Sequence, residues 1–247
     1  MSANSCVICV GTGDAFGSGG RLNSCYAVQT SQELLLLDCG CSVLIGLQRC
    51  QLDPAAIDTV VISHLHGDHF GGLPFLLLEG KFVSQRQRPL SLIGPAGLQE
   101  QVEKALEALY PGTIDELPFP VHYRQLDTVQ PLQQGNFLIS SCLVKHGSSS
   151  EVYAIRLEIA DKNLCYTGDT EWTDALISLT KGTDLTIAEC FAYSQPVPSH
   201  LDYQTLQKKR GLLHSRRLML THLGPEMLEK KGLLGLDILN DGDRIEL

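Results

Sequence analysis

The chain has 247 residues, 43% of them hydrophobic and 19% charged, and carries a formal net charge of −9 at pH 7. That length can bury a substantial core in one large unit or two intimate ones, and the ordinary composition excludes a low-complexity or fibrous protein. The acidic balance argues against general nucleic-acid binding through a basic surface, and apolar runs such as ELLLLD and LPFLLLEG are far too short to span a bilayer.

In chain order, CVICVGTG predicts a strand ending in a glycine turn, followed by SCYAVQT and ELLLLDCG as a hairpin. SVLIGLQRCQL has helical spacing, and DTVVIS is a short, buried β-branched run. LSLIGP predicts another strand, and GLQEQVEKALEAL an amphipathic helix with Leu98, Val102, Ala105, Leu106 and Leu109 on one face. A proline-rich connector, YPGTIDELPFP, leads to the strands VHYRQL, NFLISSCLVKH, EVYAIRLEI and NLCYTGD. Helix WTDALISLT, strand DLTIAEC, helix YQTLQKKRGLL and strand RRLMLTHL complete the pattern. Such alternation indicates a layered α/β or α+β fold. The expected organisation is one domain, residues 1–247, in two halves of roughly 1–115 and 116–247. No basic stretch leads into an apolar one near residue 1, which predicts a cytoplasmic protein with no membrane partner.

Nine cysteines are an odd number for a disulfide framework. Cys6, Cys9, Cys142, Cys165 and Cys190 sit in apolar strand-like runs, where a free thiol behaves as a small hydrophobe. In an extended strand Cys6 and Cys9 point to opposite faces, and no second pair at zinc spacing follows, so structural thiols are expected. The short basic stretches KFVSQRQR and QKKRGLLHSRR read as solvated surface first and phosphate-steering patches second.

The strongest signal is SHLHGDHFGGLP, residues 63–74, directly after the DTVVIS run. His64, His66, Asp68 and His69 place four potential ligands within six residues. Imidazole nitrogens and carboxylate oxygens suit zinc and related divalent ions, and close spacing reduces the entropy lost on chelation. Gly67, Gly71 and Gly72 would let the backbone turn sharply so that these side chains converge. A polar loop that happens to be histidine-rich is the bland alternative.

This motif resembles the metallo-β-lactamase superfamily, whose hallmark is His-x-His-x-Asp-His after a strand. Further positions fit in the expected order: GTGDAFGSG, Asp38 in LLLDCG, His146 in LVKHGSSS, Asp169 in YTGDT and His222 in LMLTHLGP. The resemblance covers nearly the whole chain and implies an α/β fold, a four-layer αββα sandwich with the metal site at one edge of its two sheets. It puts one metal on His64, His66 and His146 and a second on Asp68, His69 and His222, with Asp169 bridging. The implied cofactors are two divalent ions, zinc before manganese or iron, with a bridging hydroxide as nucleophile near neutral pH. Asp68 counts among the catalytic residues as well as the ligands. His122 and His214 match no family position and are read as structural. Aspartate at 169, where β-lactamases of the superfamily generally have cysteine, points to the thioesterase, lactonase and phosphodiesterase branches.

His200 in VPSHLDYQTL bears on which bond is cut. Ser199 or Asp202 could cap a helix beginning near 201, leaving His200 a first-turn residue. Alternatively, the segment from SHLDYQTL to RRLMLTHL resembles the phosphodiesterase branch, which includes ribonuclease Z and the phosphoribosyl cyclic phosphodiesterases. That resemblance implies that His200 protonates the leaving oxygen and that Glu189 orients it, although Ala188 and Cys190 depart from the ribonuclease Z pattern. Ser148 to Ser150 form a turn or donate to a phosphate.

Ribonuclease Z proteins usually carry an extruded tRNA-binding arm between the positions of His146 and Asp169; here 22 residues separate these two. The expectation is therefore a dinuclear phosphodiesterase whose partner is a small or cyclic phosphodiester. The alternatives are a 3′-tRNA-processing endonuclease that binds tRNA, a lactonase or thioesterase, and a non-catalytic metal-binding scaffold. Because relatives are commonly dimers, a homodimer is expected. Cys6, Cys9 and Cys25 do not reproduce the structural zinc site of the phosphonate-pathway relatives.

Overall fold

Four consecutive leucines, Leu34–Leu37, are all buried, which a strand requires only when both of its faces are covered. The computed structural model, which describes residues 5–147, 150–194, 197–233 and 235–247, shows how this is achieved. Its strands are β1 (Cys6–Gly11), β2 (Cys25–Gln29), β3 (Leu34–Leu37), β4 (Ile57–Val61), β5 (Leu90–Gly94), β6 (Val121–Gln125), β7 (Leu132–Gln134), β8 (Phe137–Leu143), β9 (Tyr153–Ile159), β10 (Lys162–Tyr166), β11 (Leu185–Glu189), β12 (Leu218–Thr221), β13 (Asp237–Ile238) and β14 (Arg244–Glu246). The helices are α1 (Val43–Arg49), α2 (Gly67–Phe70), α3 (Leu73–Phe82), α4 (Leu98–Leu109), α5 (Ala175–Leu179), α6 (Tyr203–Lys209) and α7 (Pro225–Lys230).

Two seven-stranded sheets result, ordered β14-β1-β2-β3-β4-β5-β6 and β13-β12-β11-β10-β9-β8-β7. Alternation along the strands builds three apolar layers. Val7, Cys9, Leu35 and Leu37 meet Ile155, Leu157, Tyr166 and Ile187 between the sheets. Ile8, Val10, Leu34 and Leu36 face the other way, onto Leu47 of α1, Leu77 of α3 and Val102 of α4. On the far side, Cys165 and Leu220 pack against Leu176 of α5, Leu206 of α6 and Met227 of α7. Helix, sheet, sheet, helix is the expected αββα order. Cys6 and Cys9 go to opposite faces as the strand geometry required, and all nine cysteines are free thiols.

Several elements differ from expectation. VHYRQL does not open the second half: β6 pairs in parallel with β5, because α4 serves as the crossover that a parallel pair needs. The chain returns to the same sheet with β14, antiparallel to β1. Sheet membership therefore does not follow a division near residue 115. LPFLLLEG, which showed only an apolar run, forms α3, with Pro74 tolerated in its first turn. Leu98, Val102 and Leu106 of α4 are buried as predicted, but Leu109 at its last residue is 50% exposed. None of the described helices is long and apolar enough to cross a membrane.

Strands β3 and β4 are parallel, as are β10, β11 and β12. Asp38, His64, Asp169 and His222 all lie just beyond the carboxyl ends of such strands, the part of an α/β sheet where ligand crevices form.

Candidate metal centre and active site

The buried strand β4 runs straight into Ser63 and His64, both fully buried. The chain then turns through His66, which precedes the single-turn helix α2 carrying Asp68 and His69. Glycine is required at two positions here. A Cβ on Gly71 would lie 2.4 Å from the Gly67 carbonyl, and one on Gly72 would lie 2.3 Å from that of Gly40. Gly67, expected to matter in the same way, has open space around it.

All seven side chains expected to hold metals come together. Ligand atoms of His64, His66 and His146 lie within 4.8 Å of one another, as do those of Asp68, His69, Asp169 and His222. Asp169 is central: its Oδ2 is 3.3 Å from Nε2 of both His69 and His222 and 4.0 Å from Nε2 of His146. His122 and His214 are exposed and belong to neither group.

Hydrogen bonds behind the imidazoles fix which nitrogen faces inward. His69 Nδ1 donates to Asp38 Oδ2 at 2.6 Å, and His146 Nδ1 donates to the Ser199 carbonyl at 2.8 Å. Ser63 Oγ donates to Asp38 at 2.8 Å and so accepts from His64 Nδ1 at 3.1 Å. Ser24 Oγ, 3.2 Å from His222 Nδ1, does the same for the fourth imidazole. His64, His69 and His222 thereby turn Nε2 toward the cluster, as does His146, whose Nε2 lies 3.0 Å from His66 Nδ1, the usual way in which outer contacts orient metal-binding histidines. Asp38, Ser199 and His222 adopt positive φ (58°, 72° and 55°), backbone strain of the kind concentrated at functional sites. Sequence reasoning noted Asp38 only as part of a resemblance and missed Ser24, Ser63 and Ser199 as supports.

The donor set fits divalent cations. His64 Nε2, His69 Nε2 and Asp169 Oδ1 are buried without a hydrogen-bond partner, a costly state unless something else satisfies them. Burial, followed by the neighbouring His69, holds His64 well below its ordinary pKa. Burial would raise Asp169, but the charges of His222 and His69 outweigh it and hold its carboxyl low. Those directions favour neutral His64 and ionised Asp169, the forms that ligate metals; burial would lower His69 too, but the charges of Asp169 and Asp38 hold it well above its ordinary value.

Beside this cluster, His200 Nδ1 is 3.1 Å from both carboxylate oxygens of Glu189. The residue that caps α6 is Asp202, which accepts from Thr205 N at 2.8 Å, so His200 stands ahead of the helix rather than in its first turn. Glu189 is fully buried and also accepts from the Thr170 amide. Burial raises the Glu189 carboxyl, and the hydrogen bond and charge of His200 work against that rise. Burial pulls His200 down, but the hydrogen bond and charge of Glu189 more than reverse this. The His200 ring lies 4.9 Å from the rings of Phe191 and His146 and is stacked on His222 at 5.7 Å. Ser148 and Ser149 lie outside the described residues.

A family model for the anti-Pycsar protein Apyc1 matches residues 6–237. The chain belongs to the Apyc1 family. The Apyc1 protein of Bacillus phage BSP38 is 31% identical over 204 residues, 78% of this chain and 79% of that protein. YhfI of Bacillus subtilis, named a probable metallo-hydrolase, is 28% identical over 88% of this chain and 86% of its own length. Ribonuclease Z of Methanocaldococcus jannaschii is 31% identical over 61% of this chain, a match spanning 47% of that enzyme.

Solved structures agree on the fold. YhfI superposes with a TM-score of 0.80 at 24% identity, covering 98% of this chain and 99% of the other. The human short-form tRNase Z gives 0.79 at 23% identity, covering 97% and 98%, and a diphosphatase of the PhnP family gives 0.78 at 19%, covering 98% of each. This Apyc1-family chain is therefore a metallo-hydrolase relative with the metallo-β-lactamase fold. Its candidate metal-ligand cluster opens into a cleft of about 380 Å³ whose walls include His66, Asp68, His146, Asp169, His200 and His222.

Proposed function

We propose that the protein is a dinuclear metal-dependent phosphodiesterase acting on a small or cyclic phosphodiester. The observation that carries this reading is the His200–Glu189 pair. A histidine held at 3.1 Å by a buried carboxylate opens onto the cleft that also contains Asp68 and Asp169. Lactone and thioester hydrolysis have less need of a general acid at such a position. An alkoxide leaving phosphorus gains from one, typically 10²- to 10⁴-fold.

The residues that would hold the cations are His64, His66 and His146 on one side and Asp68, His69 and His222 on the other, with Asp169 between. Bound there, divalent cations would supply positive charge for the phosphate oxygens and acidify a water enough to attack near neutral pH. The chain's own residues do the rest. Asp38, Ser24, Ser63 and Ser199 keep four imidazoles in one tautomer and orientation. Glu189 accepts from Nδ1 of His200, so that Nε2 is the nitrogen free to give a proton to the departing oxygen. Glu189 cannot swing away, because the Thr170 amide holds one of its oxygens.

The net charge of −9 supports a small substrate over tRNA. So does the segment between His146 and Asp169, which β9, β10 and their short connections occupy. An activity screen of the metal-loaded protein tests the reading, using cyclic nucleotides, bis-p-nitrophenyl phosphate, a tRNA precursor and a lactone. Turnover of the small diesters is expected. Turnover of the lactone with none of any diester would overturn the proposal, and turnover confined to the tRNA precursor would move it to the endonuclease reading.

A further inference from the structure

Phe16 is 82% exposed, and it lines the same cleft as the metal cluster. A single exposed phenylalanine is ordinary on a protein surface; the way this one is held is not. Asp14, fully buried two residues earlier, commits both of its carboxylate oxygens to the loop. One accepts from the Phe16 amide at 3.2 Å and the Ser18 amide at 2.9 Å, and the other from the Ser18 hydroxyl at 2.6 Å. Asn23 donates to the Asp14 carbonyl at 3.0 Å, tying the loop to the far side of the turn. Gly17, Gly19 and Gly20 all take positive φ, and a Cβ on Gly19 would come within 2.9 Å of Leu228 on α7. The fold thus builds a braced loop and presents an aromatic ring from it to solvent at the mouth of the active-site cleft.

The cleft has two chemical ends. Its buried end is made of imidazoles and carboxylates, which suit a phosphate with its cations. Its exposed end is apolar, with Ala15, Phe16 and Pro198 at the surface and Phe191 and Val197 half-buried. With the backbone of this loop braced, only the two side-chain torsions of Phe16 are left to order when something stacks on its ring. Flat heteroaromatic groups gain the most from such a surface, because every one of them has a π-face to offer.

We propose that Phe16 is a specificity-determining residue, a stacking platform for a planar aromatic group attached to the phosphodiester. This rests on the phosphodiesterase reading for what occupies the buried end. The aromatic group could be carried by a nucleoside or by a simple aryl ester, and the two are separable by experiment.

The test is a calorimetric titration of the zinc-loaded full chain with adenosine 5′-monophosphate, phenyl phosphate and glycerol phosphate. These probes share a phosphate and differ in the ring. The wild type should bind at least one ring-bearing phosphate about fivefold or more tightly than glycerol phosphate. Phe16→Ala should remove that preference and leave glycerol phosphate within about twofold, Phe16→Trp should restore it, and Phe16→Leu should not. At 82% exposure the side chain contributes little to folding, so the variants remain comparable. Preference for the adenosine ligand assigns the ring to a nucleoside, and preference for phenyl phosphate assigns it to an aryl ester. Absence of a ring preference in the wild type, or its survival in Phe16→Ala, overturns the proposal. Hydrolysis of the matching diesters is scored separately: if none is cleaved, the phosphodiesterase reading fails, while the binding result still decides the role of Phe16.

Discussion

Nδ1 of His69 lies 2.6 Å from Oδ2 of Asp38, both side chains fully buried. The same carboxylate accepts from the Ser63 amide at 2.7 Å, the Ser63 hydroxyl at 2.8 Å and the Tyr166 hydroxyl at 2.7 Å. Through Ser63 it reaches His64, a candidate ligand of one metal, and through His69 it reaches the other. One residue therefore orients imidazoles on both sides of the centre. Asp38→Asn keeps the shape and weakens the acceptor. It is expected to lower metal affinity about 10- to 100-fold, the usual effect of losing such an outer contact. Competition against a chromophoric chelator measures this; an unchanged affinity would show that Ser63 and His69 find their orientation without Asp38.

Metal removal should change stability as well as activity. The loaded protein is expected to hold about two equivalents of zinc per chain, one for each cluster of candidate ligands. A cation at 100 times its dissociation constant stabilises the native state by about 2.7 kcal/mol, which for a chain of this length is roughly 5–10 °C in Tm. Treatment with a chelator should lower Tm by about that much, and added zinc should restore it. Elemental analysis giving one equivalent or fewer, or a Tm indifferent to chelation, would contradict the dinuclear assignment.

What the sequence conveyed about this centre depended on how local each signal was. His64, His66, Asp68 and His69 stand within six residues, so their convergence was visible in the chain. His146, Asp169 and His222 are distant in sequence and were found only because each follows a strand in an order that resembles a known family. Ser199 could not be found in that way. It acts through its backbone carbonyl, and any residue has a carbonyl; what matters is its positive φ, which no residue type announces here. Phe16 escaped because exposure of an aromatic is a tertiary fact. Among the strands, β3 was legible from its leucines, whereas β13 and β14, with two and three residues, are too short to show alternation. The placement of β6 in the first sheet was hidden because VHYRQL reads as a strand whichever sheet receives it.

Replacing His200 should distinguish general-acid catalysis from a merely structural role. A sugar alkoxide leaves poorly and needs a proton, whereas p-nitrophenolate leaves without one. With His200→Ala, kcat on a diester with a sugar-hydroxyl leaving group is expected to fall about 10²- to 10⁴-fold. The loss on a nitrophenyl diester should stay below roughly tenfold. Equal losses on the two would remove His200 from the proton-transfer step.

Glu189→Gln asks a narrower question of the same pair. The amide fills the same buried space but lacks the charge that favours protonated His200. The leaving-group difference described for His200→Ala is expected to reappear at smaller size, with KM little changed, because the remaining Gln oxygen can still accept from the Thr170 amide and only the charge facing His200 is lost. A loss expressed wholly in KM would assign Glu189 to substrate binding.

The largest stability effect outside the site is expected at Arg86. Its side chain is almost fully buried and donates to the carbonyls of Arg88, Ala55, Ile57 and Pro89 at 2.8, 3.2, 2.7 and 2.7 Å. The guanidinium also lies 5.6 Å from the centre of the Phe119 ring. It thereby ties the segment after α3 to the entrance of β4, the strand that delivers His64. Arg86→Met preserves bulk but strands the buried Ile57 carbonyl, at a cost of about 1–3 kcal/mol when unpaired, and frees three part-buried carbonyls that water can reach, offset in part by relieving a buried charge. A net loss of about 1–3 kcal/mol follows. Arg88, two residues on, is 52% exposed and paired with Asp58 at the surface, where an ion pair contributes about 0–1 kcal/mol. Urea unfolding of Arg86→Met and Arg88→Ala should therefore separate the two midpoints clearly, and comparable midpoints would mean that the carbonyls around Arg86 regain partners when it is gone.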